Sequence, residues 1–193
     1  MHQVDYNLSL TEAMLENMEP YLLSEEVYWP VASNSKPGSP PYPRLTLGGF
    51  LLTQDELSVQ KAVMDLGQTN KFKDLQHRYQ GITGKWKSAI ERKAAREMMS
   101  RRNLWHAYAE ELEERGRIPY DYAREVRNRV MFERLTDLLQ AEAVDNVENI
   151  RKVDNRFRAV STPSDFVWEE DLQTIYSKDR FWFLYRSPFG ERG

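Results

Sequence analysis

The chain has 193 residues, a formal net charge of −3, 40% hydrophobic and 30% charged residues, and no cysteine. The lack of cysteine excludes disulfides, thiolate metal sites and cysteine nucleophiles, and five Trp, ten Tyr and eight Phe supply more buriable surface than a disordered chain carries. No stretch reaches the roughly 18 apolar residues of a membrane span, and MHQVDYNLSLTEAM lacks the basic start and apolar run of a secretory leader, so a soluble, cytoplasmic protein is expected.

Ser9 followed by Glu12 matches a capping box, in which a hydroxyl accepts an orphan amide and a carboxylate reaches back. A helix is predicted from about residue 10. Pro20 has no amide proton, so it either ends that helix or opens a short second one through Leu23. The apolar run Val27 to Val31 then meets 33–43, which holds four prolines and a glycine and must be extended or turned. A surface strap is the preferred reading of that stretch, with a polyproline ligand as the alternative. Gly48-Gly49 is expected to break the patch from Leu45 to Leu52.

Thr53 with Glu56 repeats the capping pattern, Leu57, Val63 and Met64 supply a stripe, and a continuation through Phe72, Leu75 and Tyr79 keeps helical spacing. Gly67, Gly81 and Gly84 interrupt it, leaving one kinked helix or two. From Lys85 the spacing predicts one long helix, with Trp86, Ile90, Ala94, Met98, Leu104, Trp105, Tyr108 and Leu112 on its apolar face and Gly116 as a left-handed cap. Pro119 starts another helix that carries Tyr122, Val126, Val130, Leu135, Leu138 and Leu139 and extends toward Val147 and Ile150. Ser161 to Asp165 is a turn cluster, and the aromatics of 166–189 follow it. Phe181 to Tyr185 fits either a strand or the last turns of a helix.

The predicted fold is therefore predominantly all-α. It is a single domain over 1–193, with an N-terminal helix and Pro-rich strap at 1–52, a bundle of long amphipathic helices at 53–151 and an aromatic-rich C-terminal segment at 152–193.

Charge is unevenly spread. Residues 1–70 carry nine acidic and three basic side chains, whereas 71–102 carry ten basic and three acidic. Lys85, Arg92 and Arg96 align on the face opposite Trp86 and Ile90, a stripe along which phosphates could lie. No helix-turn-helix, zinc or aromatic strand-binding motif accompanies it, and the stripe runs on into Glu110 and Glu114.

Asp74 with His77, and His106 with Glu110, are each at helical spacing, but neither pair fits the Glu-x-x-His pattern of a di-iron bundle. No metal and no cofactor is expected. Glu97 and Arg101 lie four apart on the apolar face of the long helix, either as a bridge that fixes helix register or as the wall of a polar pocket for a small ligand. Nucleophile elbows and phosphate loops are missing, since Gly81 to Lys85 is too short and follows a helix. The leading expectation is a non-enzymatic module that binds another protein or its own copy, with Phe181, Trp182, Phe183 and Tyr185 as candidate interface. A nucleic-acid or polyanion binder using 85–102 ranks second, and a ligand carrier or enzyme built on Glu97 and Arg101 third.

Overall fold

The computed structural model describes residues 3–32, 40–116, 122–139 and 144–188. Helix dominates them: α1 (Gln3–Glu16), α2 (Met18–Leu23), α3 (Leu47–Val59), α4 (Leu66–Lys85), α5 (Lys87–Arg115), α6 (Tyr122–Glu125), α7 (Arg127–Thr136) and α8 (Val144–Ala159). Two three-residue strands, β1 (Ser161–Pro163) and β2 (Arg186–Pro188), pair antiparallel with Ser161 opposite Pro188. Among the described residues no helix is long and apolar enough to cross a membrane. The chain clusters into two compact units, Met1–Ala94 and Ala95–Gly193, whose boundary falls within α5. The expected limits at 52/53 and 151/152 fall inside α3 and α8.

In the first unit α1 packs on α3 and α4. Val4, Leu8, Met14 and Leu15 are buried on α1, and Phe50 and Leu57 on α3. A polar seam runs beside them: buried Asn7 donates to Glu56 at 3.1 Å and accepts from Gln3 at 3.1 Å, while Gln54 donates to Thr11 at 3.3 Å. These bonds fix register, because a sliding helix would leave Asn7 buried and unsatisfied. Pro20 sits in the first turn of α2, where its missing amide proton costs no intrahelical bond. The far end of α2 is held by Lys93, a buried cation that donates to the carbonyls of Ser24 at 2.6 Å and Glu26 at 2.8 Å and lies over the Tyr21 ring. Trp29 and Leu45 exchange two backbone hydrogen bonds of 3.0 and 2.8 Å. Residues 40–43 have no regular secondary structure, and the Tyr42 ring lies edge-on to Tyr6. The expected strap at 33–39 lies outside the described residues.

Both expected capping boxes are corrected. Ser9 and Thr53 lie inside helices, and the Thr53 hydroxyl bonds back to the Gly49 carbonyl at 3.1 Å, an ordinary mid-helix arrangement. The N-cap of α3 is Thr46, which accepts from the Gly49 amide at 3.0 Å. Gly48-Gly49 therefore opens this helix; a Cβ on Gly49 would lie 3.0 Å from the capping hydroxyl. The true capping box joins Asp65 and Gln68 at the start of α4. Two helices occupy the region left open between one and two, separated by a 3-10 turn at Gln60–Val63. Gly81 and Gly84 do not interrupt α4, which ends where Trp86 leaves the helical region.

The second unit is built on aromatic rings. Trp105 and Tyr108 of α5 pack with Phe157 of α8 and Tyr122 of α6, with Phe157 centred 4.7 Å from Trp105 and 5.4 Å from Tyr122. Gly116 ends α5 at φ 65°, the left-handed conformation expected of it. The helix expected from Pro119 begins outside the described residues, and its continuation is broken, since α7 stops at Thr136 and α8 is separate. Phe181 to Tyr185 is neither strand nor α-helix. It forms a 3-10 turn at Trp182–Tyr185 leading into β2, with Phe183 buried and its carbonyl accepting from the Tyr122 hydroxyl.

Buried Asp154 of α8 ties this unit together. It accepts from Arg129 of α7 through both oxygens at 3.0 Å, and from the Trp105 indole at 3.1 Å. Arg129 also reaches Glu133 at 3.0 Å and stacks on Phe183 at 4.4 Å. Removing one partner of such a pair strands the other charge in a dry site. Asp154→Ala is expected to destabilise the protein by about 3–5 kcal/mol. Lys71→Gln, which breaks a half-exposed pair with Glu12, is expected to cost about 0–1 kcal/mol. Urea unfolding followed by tryptophan fluorescence measures both.

Candidate functional site

The residues singled out in the sequence do not converge on one site. Glu97 and Arg101 are buried on α5 and bonded to each other, with the Arg101 Nε and Nη2 donating to one Glu97 oxygen at 3.0 and 2.9 Å. Arg101 Nη1 donates to Asn128 at 3.1 Å. Among the described residues no buried side-chain polar atom lacks a partner. Each of the three Arg101 side-chain nitrogens thus meets a partner within α5 or on Asn128.

Lys85, Arg92 and Arg96 do not share a helix. Lys85 ends α4, the non-helical Trp86 intervenes, and Arg92 and Arg96 follow on α5. Lys85 and the Trp86 indole both donate to Glu19, at 3.1 and 3.0 Å. These two hydrogen bonds, the indole's first, hold the Glu19 carboxyl below its ordinary value. Of the aromatic run, Phe181 and Phe183 are buried while Trp182 and Tyr185 are half-buried, so the four side chains do not form one open apolar surface.

A groove that sequence reading missed lies between α5 and α8. It encloses about 560 Å³ and is lined by Arg102, Asn103 and His106 from α5 and by Asn149, Lys152, Val153 and Arg156 from α8. The spacing explains the lining: Arg102 and His106 are one turn apart, and Asn149, Lys152 and Arg156 follow the three-and-four step of a single face. Three permanent cations meet there with no carboxylate in the lining. Glu113 and Glu110 sit beside it, against Arg156 and His106. Arg156 lies 3.5 Å from Glu113 and 3.2 Å from His106 Nε2, and His106 Nδ1 lies 3.8 Å from Glu110.

The outward face of α8 extends this charge. At about 100° per residue, Ile150, Val153, Asp154 and Phe157 point inward and are buried, while Arg151, Asn155 and Arg158 join Asn149, Lys152 and Arg156 on the exposed side. Beyond it, the Arg158 guanidinium lies 3.7 Å from the Trp182 ring centre and Arg186 lies 6.0 Å from the same ring. Burial, and then the neighbouring Arg158 charge, lower the Arg186 guanidinium from its ordinary value.

A second cleft, in the first unit, has a volume of about 690 Å³ and is bordered by Asp5, Glu12, Glu16 and Asp65. Lys71 pairs with Glu12 at 2.7 Å, and Gln68 donates its side-chain amide to Asp5 and its backbone amide to Asp65, each at 2.8 Å, so three of these carboxylates are already engaged. Among the described residues no group of three or more His, Asp or Glu side chains is placed to hold a metal ion. No protein-family model, curated protein or solved structure matches this chain.

Because the folded Glu19 carboxyl lies below its unfolded value, its contribution to stability is present above the unfolded pKa and is lost as pH falls through the folded one. The Trp86 indole proton should report this directly. In a nitrogen-proton correlation spectrum its resonance is expected to shift on acidification with a midpoint below 4.5, the ordinary glutamate value. Lys85→Gln should raise that midpoint.

Proposed function

We propose that this chain is a non-enzymatic helical binding protein whose partner is anionic and sits in the groove between α5 and α8. The observation that carries this reading is the lining: Arg102, Lys152 and Arg156 beside His106, Asn103 and Asn149, with no carboxylate among them. In a chain of net charge −3, a concave lining with three cations and no carboxylate, flanked at its edge by Glu110 and Glu113, gathers positive charge against the average of the molecule. Guanidinium forks match the oxygens of phosphate or carboxylate, and their half-exposed setting keeps desolvation modest. His106 is already placed between Arg156 and Glu110, which suits an orienting role better than that of a free general base. This moves the polyanion expectation from Lys85, Arg92 and Arg96 to the α5–α8 groove.

A second reading, association with another protein or a second copy of the chain, draws on Val63 and Leu66. They flank the turn before α4 and are 67% and 77% exposed. Leu66→Gln should then shift the sedimentation profile toward the monomer.

Retention on a phosphocellulose column tests the first reading. The triple change Arg102→Gln, Lys152→Gln, Arg156→Gln is expected to move elution to clearly lower salt and to weaken affinity at least about tenfold, since each lost phosphate contact removes released counterions. The triple change Lys85→Gln, Arg92→Gln, Arg96→Gln should leave elution nearly unchanged. The opposite pattern would overturn the assignment of the groove.

A further inference from the structure

The groove accounts for only part of the cationic surface of α8. From Asn149 to Arg158 the outward side chains are four cations and two carboxamides, and the one carboxylate in that span, Asp154, is buried. At 1.5 Å per residue this face runs for about 14 Å along the helix and wraps around half its circumference. A single phosphate cannot cover it.

At the edge of this face farthest from the groove, two guanidiniums are held close together. Arg186 is anchored by donating to the Ser161 hydroxyl at 2.8 Å and to the Arg158 carbonyl at 3.1 Å. Arg158 lies over the indole of Trp182 and donates to Asn155 at 3.4 Å. Among the described residues neither guanidinium has a carboxylate within ion-pair distance. Like charges fixed side by side repel, and an anion placed between them turns that cost into attraction.

We propose that the anionic partner is a nucleic-acid strand whose phosphates run from the α5–α8 groove across the outward face of α8 to Arg158 and Arg186. This rests on the function proposed for the groove and extends it. A chain of regularly repeated phosphates engages both ends of the track at once, which no mononucleotide or inorganic phosphate does. Asn103, Asn149 and Asn155 stand among the cations and both donate and accept, which suits sugar and base edges between the phosphates. An anionic membrane surface fits less well, because its binding draws on apolar side chains among the cations, and here the nearest large ring, Trp182, is covered by Arg158.

The test measures fluorescence anisotropy of a labelled single-stranded DNA of about 15 nucleotides, beside calorimetric titration with inorganic tripolyphosphate and co-sedimentation with phosphatidylserine vesicles. The pairs Lys152→Gln/Arg156→Gln and Arg158→Gln/Arg186→Gln are each expected to weaken strand binding by about tenfold or more and to reduce the salt slope by about 1–2. Only the first pair should affect tripolyphosphate. Since Arg186 also braces the end of α8, Arg151→Gln/Arg158→Gln, two outward side chains, gives a second variant that leaves Arg186 in place, with the same expected loss. Strand binding that is sensitive to the groove pair but indifferent to both other pairs would sink the track and leave the groove in place. Binding of vesicles in preference to the strand would overturn the nucleic-acid assignment, and failure of the protein to bind strand, tripolyphosphate or vesicles would overturn both proposals.

Discussion

The second unit depends on one buried carboxylate. Asp154 joins α8 to α7 through Arg129 and to α5 through the Trp105 indole, so a single side chain sets the rotation of α8 against two neighbours. Polar bonds of this kind have directions, which an apolar interface lacks, and a rotated helix would leave Asp154, Arg129 or the indole buried without a partner. With Asp154 turned inward, the helical period leaves Lys152, Arg156, Arg151 and Arg158 outward. The basic surface is thus the reverse side of the anchor: whatever holds the carboxylate in also holds the cations out.

Helicity was legible because it is written in local spacing. The stripe through Ile90, Ala94, Met98, Trp105 and Leu112 is buried as expected, while Leu104 is 43% exposed and Trp86 falls before the helix, and Gly116 caps α5 in the left-handed conformation that its lack of a side chain permits. Glu97 and Arg101 were also visible, since they are four residues apart on one helix. Helix starts were harder to read. Ser9 with Glu12 and Thr53 with Glu56 satisfy the capping pattern, yet helices tolerate both hydroxyls inside, and Asp65 with Gln68 forms the real box.

The groove was not legible for a different reason. Arg102 and Arg156 come from different helices, α5 and α8, far apart in the sequence, and nothing in a periodic pattern says which two faces will meet. The Asp154–Arg129 pair shares this difficulty, because its members are 25 residues apart on different helices. A boundary placed at 151/152 also cut α8 in the middle of its basic face. The cations between Arg151 and Arg158 are thereby divided between the expected bundle and the expected aromatic-rich C-terminal segment, and their common orientation is not visible. In the aromatic segment the rings signalled burial correctly for Phe181 and Phe183. Their backbone form was decided by Tyr122 and by the pairing of β2 with β1, both remote in sequence.

The two backbone hydrogen bonds between Trp29 and Leu45 have a consequence for how this protein could change over time. They clamp the ends of the stretch from Pro30 to Arg44 before the chain enters α3. Once two ends are fixed, the entropy of closing a loop rises only with the logarithm of its length, about 0.6 kcal/mol for each doubling. Insertions or deletions between the clamped residues therefore carry a small thermodynamic penalty, whereas the same changes within α1 or α3 would shift Asn7, Thr11 and Gln54 out of register. Length variation among descendants of this chain should collect in that span while its flanking helices keep their lengths.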